Sequence, residues 1–442
     1  MSTKNHESNN SLTGQLVELI QAREIIDKDF QTCTYFVLDA VVNMIAATRT
    51  DTGRVMLQWW NSMSSTSTAQ QAFLGGALIH TLEMDDLHKM SVTHPGCVVV
   101  PAALAVAAQR GLSGKQLLIA VLRGYEAMCR IGNAVGRSHY KIWHSTATCG
   151  PFGSAMAIAS LLDLSPQQQA WALGNAGTQS AGLWEFMNSG GMSKHLHAGR
   201  AAEAGILAAE LASAGFTGPL QILEGKQGMF RASCPDANPA AIVASPQGAW
   251  ELTQTSIKPW PCCRHTHPAI DAALELSSKI NSPIQQIILR TYQAALDVCD
   301  RPEPTNEYEA KFSLQHCVAT ALSNGKVDFA SFTPTARDAS GNFRNKILLQ
   351  ASQQIDVAYP ANWGCELEVI TMDGKTVRTT REHCKGDPDL PLTGTEMIAK
   401  ARTLLDFAGV HEPEQERLIK YILDLQTHTR VPGIFDLLEL VF

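Results

Sequence analysis

Apolar residues recur at helical spacing along most of this chain. Residues 12–48 read as two helices. The second, over 29–48, is apolar on most faces (Phe36, Val37, Leu38, Ala40, Val41, Ile45) and should lie centrally. The polar run SMSSTST at 62–68 ends in an N-cap residue before Ala69. From there Ala69, Ala72, Phe73, Gly76, Ile79 and Leu82 form one buried stripe at i, i+3, i+4, i+7. Further helices are predicted over 97–110 and 115–136. The second places Arg123, Glu126 and Arg130 on one face, as an ion-pair ladder or an interface. An Ala-rich helix follows His144. Ser165 and Gln168 form a capping box for the next helix. Another Ala-rich helix begins near 194 and runs to Ala214.

The texture changes near residue 253. Strand-like runs appear at 284–292, 345–352 and 365–374. The last ends in Asp373-Gly374 and predicts a hairpin with a two-residue turn. A helix over 309–322 lies between strands, and helical pattern returns at 393–408 and 412–425. The fold class is therefore mostly α: a large all-helical domain from 1–253 and 392–442, with a smaller α+β domain at 254–391. The polar first ten residues read as a frayed tail without the apolar core of a signal peptide.

Composition narrows the function. Charged residues are 17% of the 442-residue chain, below the ~25% of ordinary globular proteins, so much of the chain is interior or interface. The net charge of −7 and the lack of a basic stripe argue against nucleic acid. The longest apolar run, 97–108, is short of the ~20 residues that span a bilayer. A cytoplasmic protein without a membrane partner is expected. Eleven scattered cysteines without a C-x-x-C pair read as buried small hydrophobes rather than a disulfide framework.

Chemistry concentrates in four stretches. HTLEMDDLHKMSVTHPG at 80–96 holds Glu83, Asp85, Asp86, His80, His88 and His94, and the helix from Ala69 is expected to carry it at its C-terminal end. Carboxylates there oppose the helix dipole, the kind of local cost found at functional sites. In HSTATCGPFGSAM, at 144–156, His144 precedes small residues that would open backbone N–H groups to a carboxylate near a helix start. SKHLHAGR at 193–200 brings Lys194, His195, His197 and Arg200 to another helix start, an anion site in which one of the two histidines serves as a buried cap. KPWPCCRHTHPAID, at 258–271, carries Lys258, Arg264, His265 and His267 in a Pro-rich loop, with Asp271 structural in the helix beyond.

Together with GYEAMCRIG (124–132) and GFTGP (215–219), these motifs make the chain resemble the MmgE/PrpD family over roughly 12–440. The family includes 2-methylcitrate dehydratase, cis-aconitate decarboxylase and iminodisuccinate epimerase. The resemblance implies a homodimer, no organic cofactor, no metal, and a site between a helical domain and a lid. It places His94, His144, Lys194 and Lys258 at site positions. The chain departs from the decarboxylase members, which carry Asp-Phe-Asp-Asp-Thr where Glu83-Met84-Asp85-Asp86-Leu87 stands. The spacing to His94 is one residue longer. Those members carry a tyrosine before an Asn-Arg-Pro run where this chain reads Val298-Cys299-Asp300-Arg301-Pro302, and Cys263 replaces a histidine after Lys258.

The expected reaction abstracts a proton α to a carboxylate of a small di- or tricarboxylate, most nearly as a 2-methylcitrate-dehydratase-like hydro-lyase. Epimerisation, cis-aconitate-type decarboxylation and a non-catalytic carboxylate-binding dimer follow in that order. His94 or His144 serves as base and the other as acid. Asp85 or Asp86 orients the ring, and Lys194 carries positive charge for the enediolate. Lys258, Arg264, His265, Glu83, Leu87 and Arg200 shape substrate binding. A divalent ion on Asp85, Asp86, His88 and His94, with His265 and His267, is the chemical rival, but the spacing matches no standard metal signature.

Overall fold

The computed structural model describes residues 11–439, so the tail expected over 1–10 lies outside the described residues. The chain forms two compact units, one holding the described residues up to Thr255 and from Thr393 onward, the other Ser256–Leu392. It is mostly helical, with a smaller α+β portion.

In the first unit, α1 (Leu12–Gln21) and α2 (Asp27–Ala47) are followed by α3 (Asp51–Asn61) and α4 (Thr68–Ile79). Sequence pattern did not announce α3, which begins where Thr50 caps the Gly53 N–H. Ser67 and Gln70 form a capping box at the start of α4. Next come α5 (Gly96–Arg110), α6 (Gly114–Ala134), α7 (Ser145–Leu161), α8 (Pro166–Gly177) and α9 (Ser193–Ser213). Ser113 with Gln116 and Ser165 with Gln168 box the starts of α6 and α8. Helix α2 is apolar enough to pass for a membrane span, but 83% of its apolar window is buried, as in a core helix.

Small residues decide how α7 and α9 cross. The Ser154 hydroxyl donates to the Ala201 carbonyl at 2.7 Å. A Cβ on Gly205 would stand 1.9 Å from Ser154 Oγ. A Cβ on Gly150 would stand 2.7 Å from that of Ala201. The small residues expected to open N–H groups near 150 therefore sit inside α7, which starts at Ser145, and serve helix packing.

In the second unit, α10 (His267–Ser277) packs on a four-stranded sheet. Strands β1 (Ile284–Thr291) and β2 (Ile347–Ala351) are parallel, while β3 (Cys365–Thr371) and β4 (Thr376–Arg381) continue the sheet antiparallel, in order β2-β1-β3-β4. Cys365, Leu367, Val369 and Thr371 alternate inward, which fixes the register of β3. The β3–β4 loop is one residue longer than the predicted two-residue turn. Thr371 N–H bonds the Lys375 carbonyl, and Gly374 at φ +82° takes the left-handed position. The helix predicted over 309–322 is two, Glu307–Lys311 and α11 (Leu314–Asn324), because Ser313 caps the second. The chain then returns to the first unit with α12 (Gly394–Ala408) and α13 (Glu412–Leu423). All eleven cysteines are buried and unbridged.

Gly205→Ala should destabilise the protein by about 1–3 kcal/mol, because the added methyl forces α7 and α9 apart. Urea denaturation measures this, and an unchanged midpoint would show that the crossing tolerates the methyl group.

Candidate active site

The polar stretch after α4 is a buried loop rather than a helix end. Helix α4 stops at Ile79, with His80 as its C-cap. The unfavourable dipole position expected for the carboxylates is therefore relieved by chain geometry. Glu83 and Val92 adopt φ +57° and +50°, which side-chain-bearing residues seldom do. His88 and Thr93 bridge the loop base through backbone bonds of 2.8 and 3.4 Å. His80, Glu83, Asp85, Asp86, His88 and His94 are all buried.

Glu83, Asp86 and His88 meet partners from elsewhere in the unit, while His80 and Asp85 pair within the loop. Glu83 pairs with Lys194 in the first turn of α9. The His80 Nδ1–H donates to Asp85 Oδ2 at 2.7 Å. Asp86 accepts the Tyr125 hydroxyl at 2.8 Å and the Gly96 N–H at 2.9 Å. A Cβ on Gly96 would come within 2.8 Å of Asp86 Oδ1, so this close approach requires glycine. His88 lies on the Ser91 hydroxyl at 2.8 Å and on the Glu251 carboxylate at 2.8 Å, which marks it as a loop anchor.

His94 is held differently. Its Nδ1 donates to the Asp86 backbone carbonyl at 2.5 Å. A carbonyl can only accept, so Nδ1 carries a hydrogen and Nε2 is the nitrogen left to exchange a proton. Asp85 Oδ2 lies 3.5 Å from the same Nδ1. The Thr146 hydroxyl receives the His94 N–H at 3.1 Å, tying the loop to the start of α7.

Five imidazoles cluster here. His80 lies 4.6 Å from His94, 5.7 Å from His144 and 6.3 Å from His195 between ring centroids. His144 and His197 share a bond between Nδ1 atoms at 3.3 Å, so one of them donates to the other. Trp184 covers His144 at 4.7 Å. Burial, followed by the positive neighbours His80 and Lys194, holds the His144 imidazolium well below its ordinary range. The same burial brings His195 down to about 3 and His197 to about 4. Each of these shifts favours the neutral ring.

His80, Asp85 and Cys97 place one ligand atom each within 4.8 Å of one another. This grouping differs from the Asp85, Asp86, His88 and His94 set expected for a metal. Burial, with Asp85 and Asp86 nearby, pushes the Cys97 thiol well up, so the sulfur keeps its proton.

Leu87 is buried in the loop. Arg200 stands on the wall of an 830 Å³ groove with Trp143, Gln179, Phe186 and His197, and pairs with Glu203 one turn along α9. Arg123 leaves the predicted ladder and bonds Ser160 at 2.9 Å, while Glu126 binds both Arg130 and Arg23. In the second unit, Lys258 is buried. Arg264 is paired with Asp387, which also accepts the Ser256 hydroxyl at 2.7 Å. His265 bonds the Tyr292 hydroxyl at 2.7 Å and stacks on Trp363 at 4.5 Å. Asp271 receives the Lys385 N–H at 3.1 Å.

Sequence reading left His80, Tyr125, Trp184 and Lys400 out of the site. His80 had a signal in its place at the end of an apolar helix five residues before Asp85. Tyr125 and Trp184 had none, since each contact spans a long separation.

The site is a buried set of imidazoles, carboxylates and a lysine, equipped to move protons beside an anion. Residues 14–241 match the MmgE/PrpD N-terminal domain and 260–425 the MmgE/PrpD C-terminal domain. The chain belongs to the MmgE/PrpD family. It is similar to a cis-aconitate decarboxylase of Aspergillus terreus (strain NIH 2624 / FGSC A1156), with 28% identity over 397 residues, covering 83% of this chain and 80% of the relative. The human cis-aconitate decarboxylase is 28% identical over 385 residues, 80% of this chain and 76% of that protein. The named relatives are enzymes that act on a small carboxylate.

Burial, then the neighbouring Asp85, raises the Asp86 carboxyl to about 8. An unfolded aspartate titrates near ~4, so this group adds stability that is complete below that value and lost as pH rises through the folded one. Asp86→Asn lacks the titration. From pH 5 to 8 the wild type should therefore lose unfolding free energy relative to this variant in urea melts, whereas parallel curves would contradict the burial argument.

Proposed function

We propose that this protein is a lyase that removes a proton α to a carboxylate of a small di- or tricarboxylate, and that it eliminates water as 2-methylcitrate dehydratase does. The observation that supports this reading is the orientation of His94. Its Nδ1 hydrogen is committed to the Asp86 carbonyl, so Nε2 is the nitrogen able to take a proton. His94 and His144 lie 4.6 and 5.7 Å from the His80 ring between centroids, which supports reading them together.

In this reading Lys194 binds the substrate carboxylate and stabilises the enediolate that forms as His94 takes the proton. Glu83, which pairs with Lys194, is displaced toward the substrate's hydroxyl side. Positive neighbours and burial keep His144 neutral, and a bound polyanion acts in the opposite direction. His144 then takes up a proton with the substrate and delivers it to the leaving hydroxyl. Asp85 orients His80 and lies beside His94. Glu83 and the apolar Leu87 shape a pocket that differs from the Asp and Thr positions of the decarboxylases.

Decarboxylation is the second reading, favoured by the two named relatives. Both readings need proton transfer at the α carbon, and they part at the leaving group. Citrate, 2-methylcitrate, cis-aconitate, tartrate and iminodisuccinate, each incubated with the protein, separate them by product. A new alkene with water released from a hydroxy acid supports dehydration. Carbon dioxide release selects decarboxylation, and inversion without a new alkene selects an epimerase. His94→Gln should lower kcat roughly 10²–10⁴-fold with the fold intact. Near-normal turnover in Lys194→Ala would sink the assignment of the anion site.

A further inference from the structure

Lys400 enters the first unit from α12, in the returning C-terminal segment. It is buried and forms an ion pair with the buried Asp39 of α2. Its Nζ also donates to the Met84 backbone carbonyl at 2.8 Å. The Asn43 side-chain amide approaches that carbonyl at 3.5 Å and donates to the Asp39 carbonyl at 2.9 Å. Met84 separates Glu83 from Asp85 in sequence. Glu83 stands at φ +57°, a conformation that persists only where the surroundings hold it. From this bend Glu83 reaches Lys194, and Asp85 reaches His80.

We infer that Lys400 is a positioning residue. By clamping the Met84 carbonyl, with Asp39 matching its charge, it holds the bend that aims Glu83 at Lys194 and Asp85 at His80. The inference rests on the acid–base reading proposed above. An apolar side chain could fill the same space but could not donate to the carbonyl.

The double variant Asp39→Asn/Lys400→Met tests this. It removes both buried charges together and strands neither. The expected result is an unfolding midpoint close to wild type and a crystal structure in which Glu83 leaves the left-handed region and loses Lys194. Turnover of the wild-type substrate should fall roughly 10²-fold, mainly in kcat rather than KM. Lys400→Arg retains the charge and a donor and should recover part of that loss. An unaltered loop in the double variant overturns the inference, whether or not a substrate is known. A displaced loop with kcat within about twofold of wild type overturns it too, because the bend then has no catalytic consequence. A wild type that turns over no polycarboxylate counts against the functional reading alone, since the loop geometry still decides the clamp.

Discussion

A loop dense in carboxylates and histidines is buried here, and the first unit is arranged around satisfying it. Removing one partner of a buried ion pair costs about 3–5 kcal/mol. The loop over 80–96 carries several groups that would each incur such a penalty. None finds its principal partner on its own helix. Lys194 comes from α9, Tyr125 from α6, Glu251 from the segment before the second unit, and Lys400 from α12. The contacts that make the loop affordable also hold its side chains in one geometry. Stability of the unit and pre-organisation of the site are therefore the same set of interactions.

The electrostatics follow from that burial. Shielding from water and a neighbouring lysine lower the basicity of His144, His195 and His197, which favours the neutral ring in each. The carboxyl of Asp86 is driven the other way by the same desolvation. In the proposed reading, a bound polycarboxylate brings negative charge to these rings and favours the protonated form of His144, which links binding to protonation of the leaving group.

The family and the helical character were legible because they rest on local signals. The capping box at Ser165, the apolar stripes, and motifs such as KHLHAGRAAEAG are short-range features. The chain belongs to the family those motifs suggested. The loop at 80–96 was visible as a concentration of chemistry, but its conformation was not. Its left-handed residues are Glu83 and Val92, neither of which announces a turn as glycine does. Lys194 stands 111 residues from Glu83 and Lys400 stands 316 from Met84, and spacing alone cannot choose among the available cations. Arg264 shows the same limit from the other side. In sequence it looks like one more cation for a substrate, whereas in the structure Asp387 matches its charge.

The central claim is that this site moves a proton on the carbon next to a carboxylate. Deuterium incorporation observed by NMR tests it most directly: cis-aconitate, whose hydration or decarboxylation must bring a solvent hydrogen to that carbon, is incubated with the protein in D₂O, beside the same mixture containing His94→Gln. The account predicts stereospecific deuterium entry at the α carbon with wild type and its loss in the variant. Product formation without any deuterium at that carbon, or equal exchange in both samples, would contradict it.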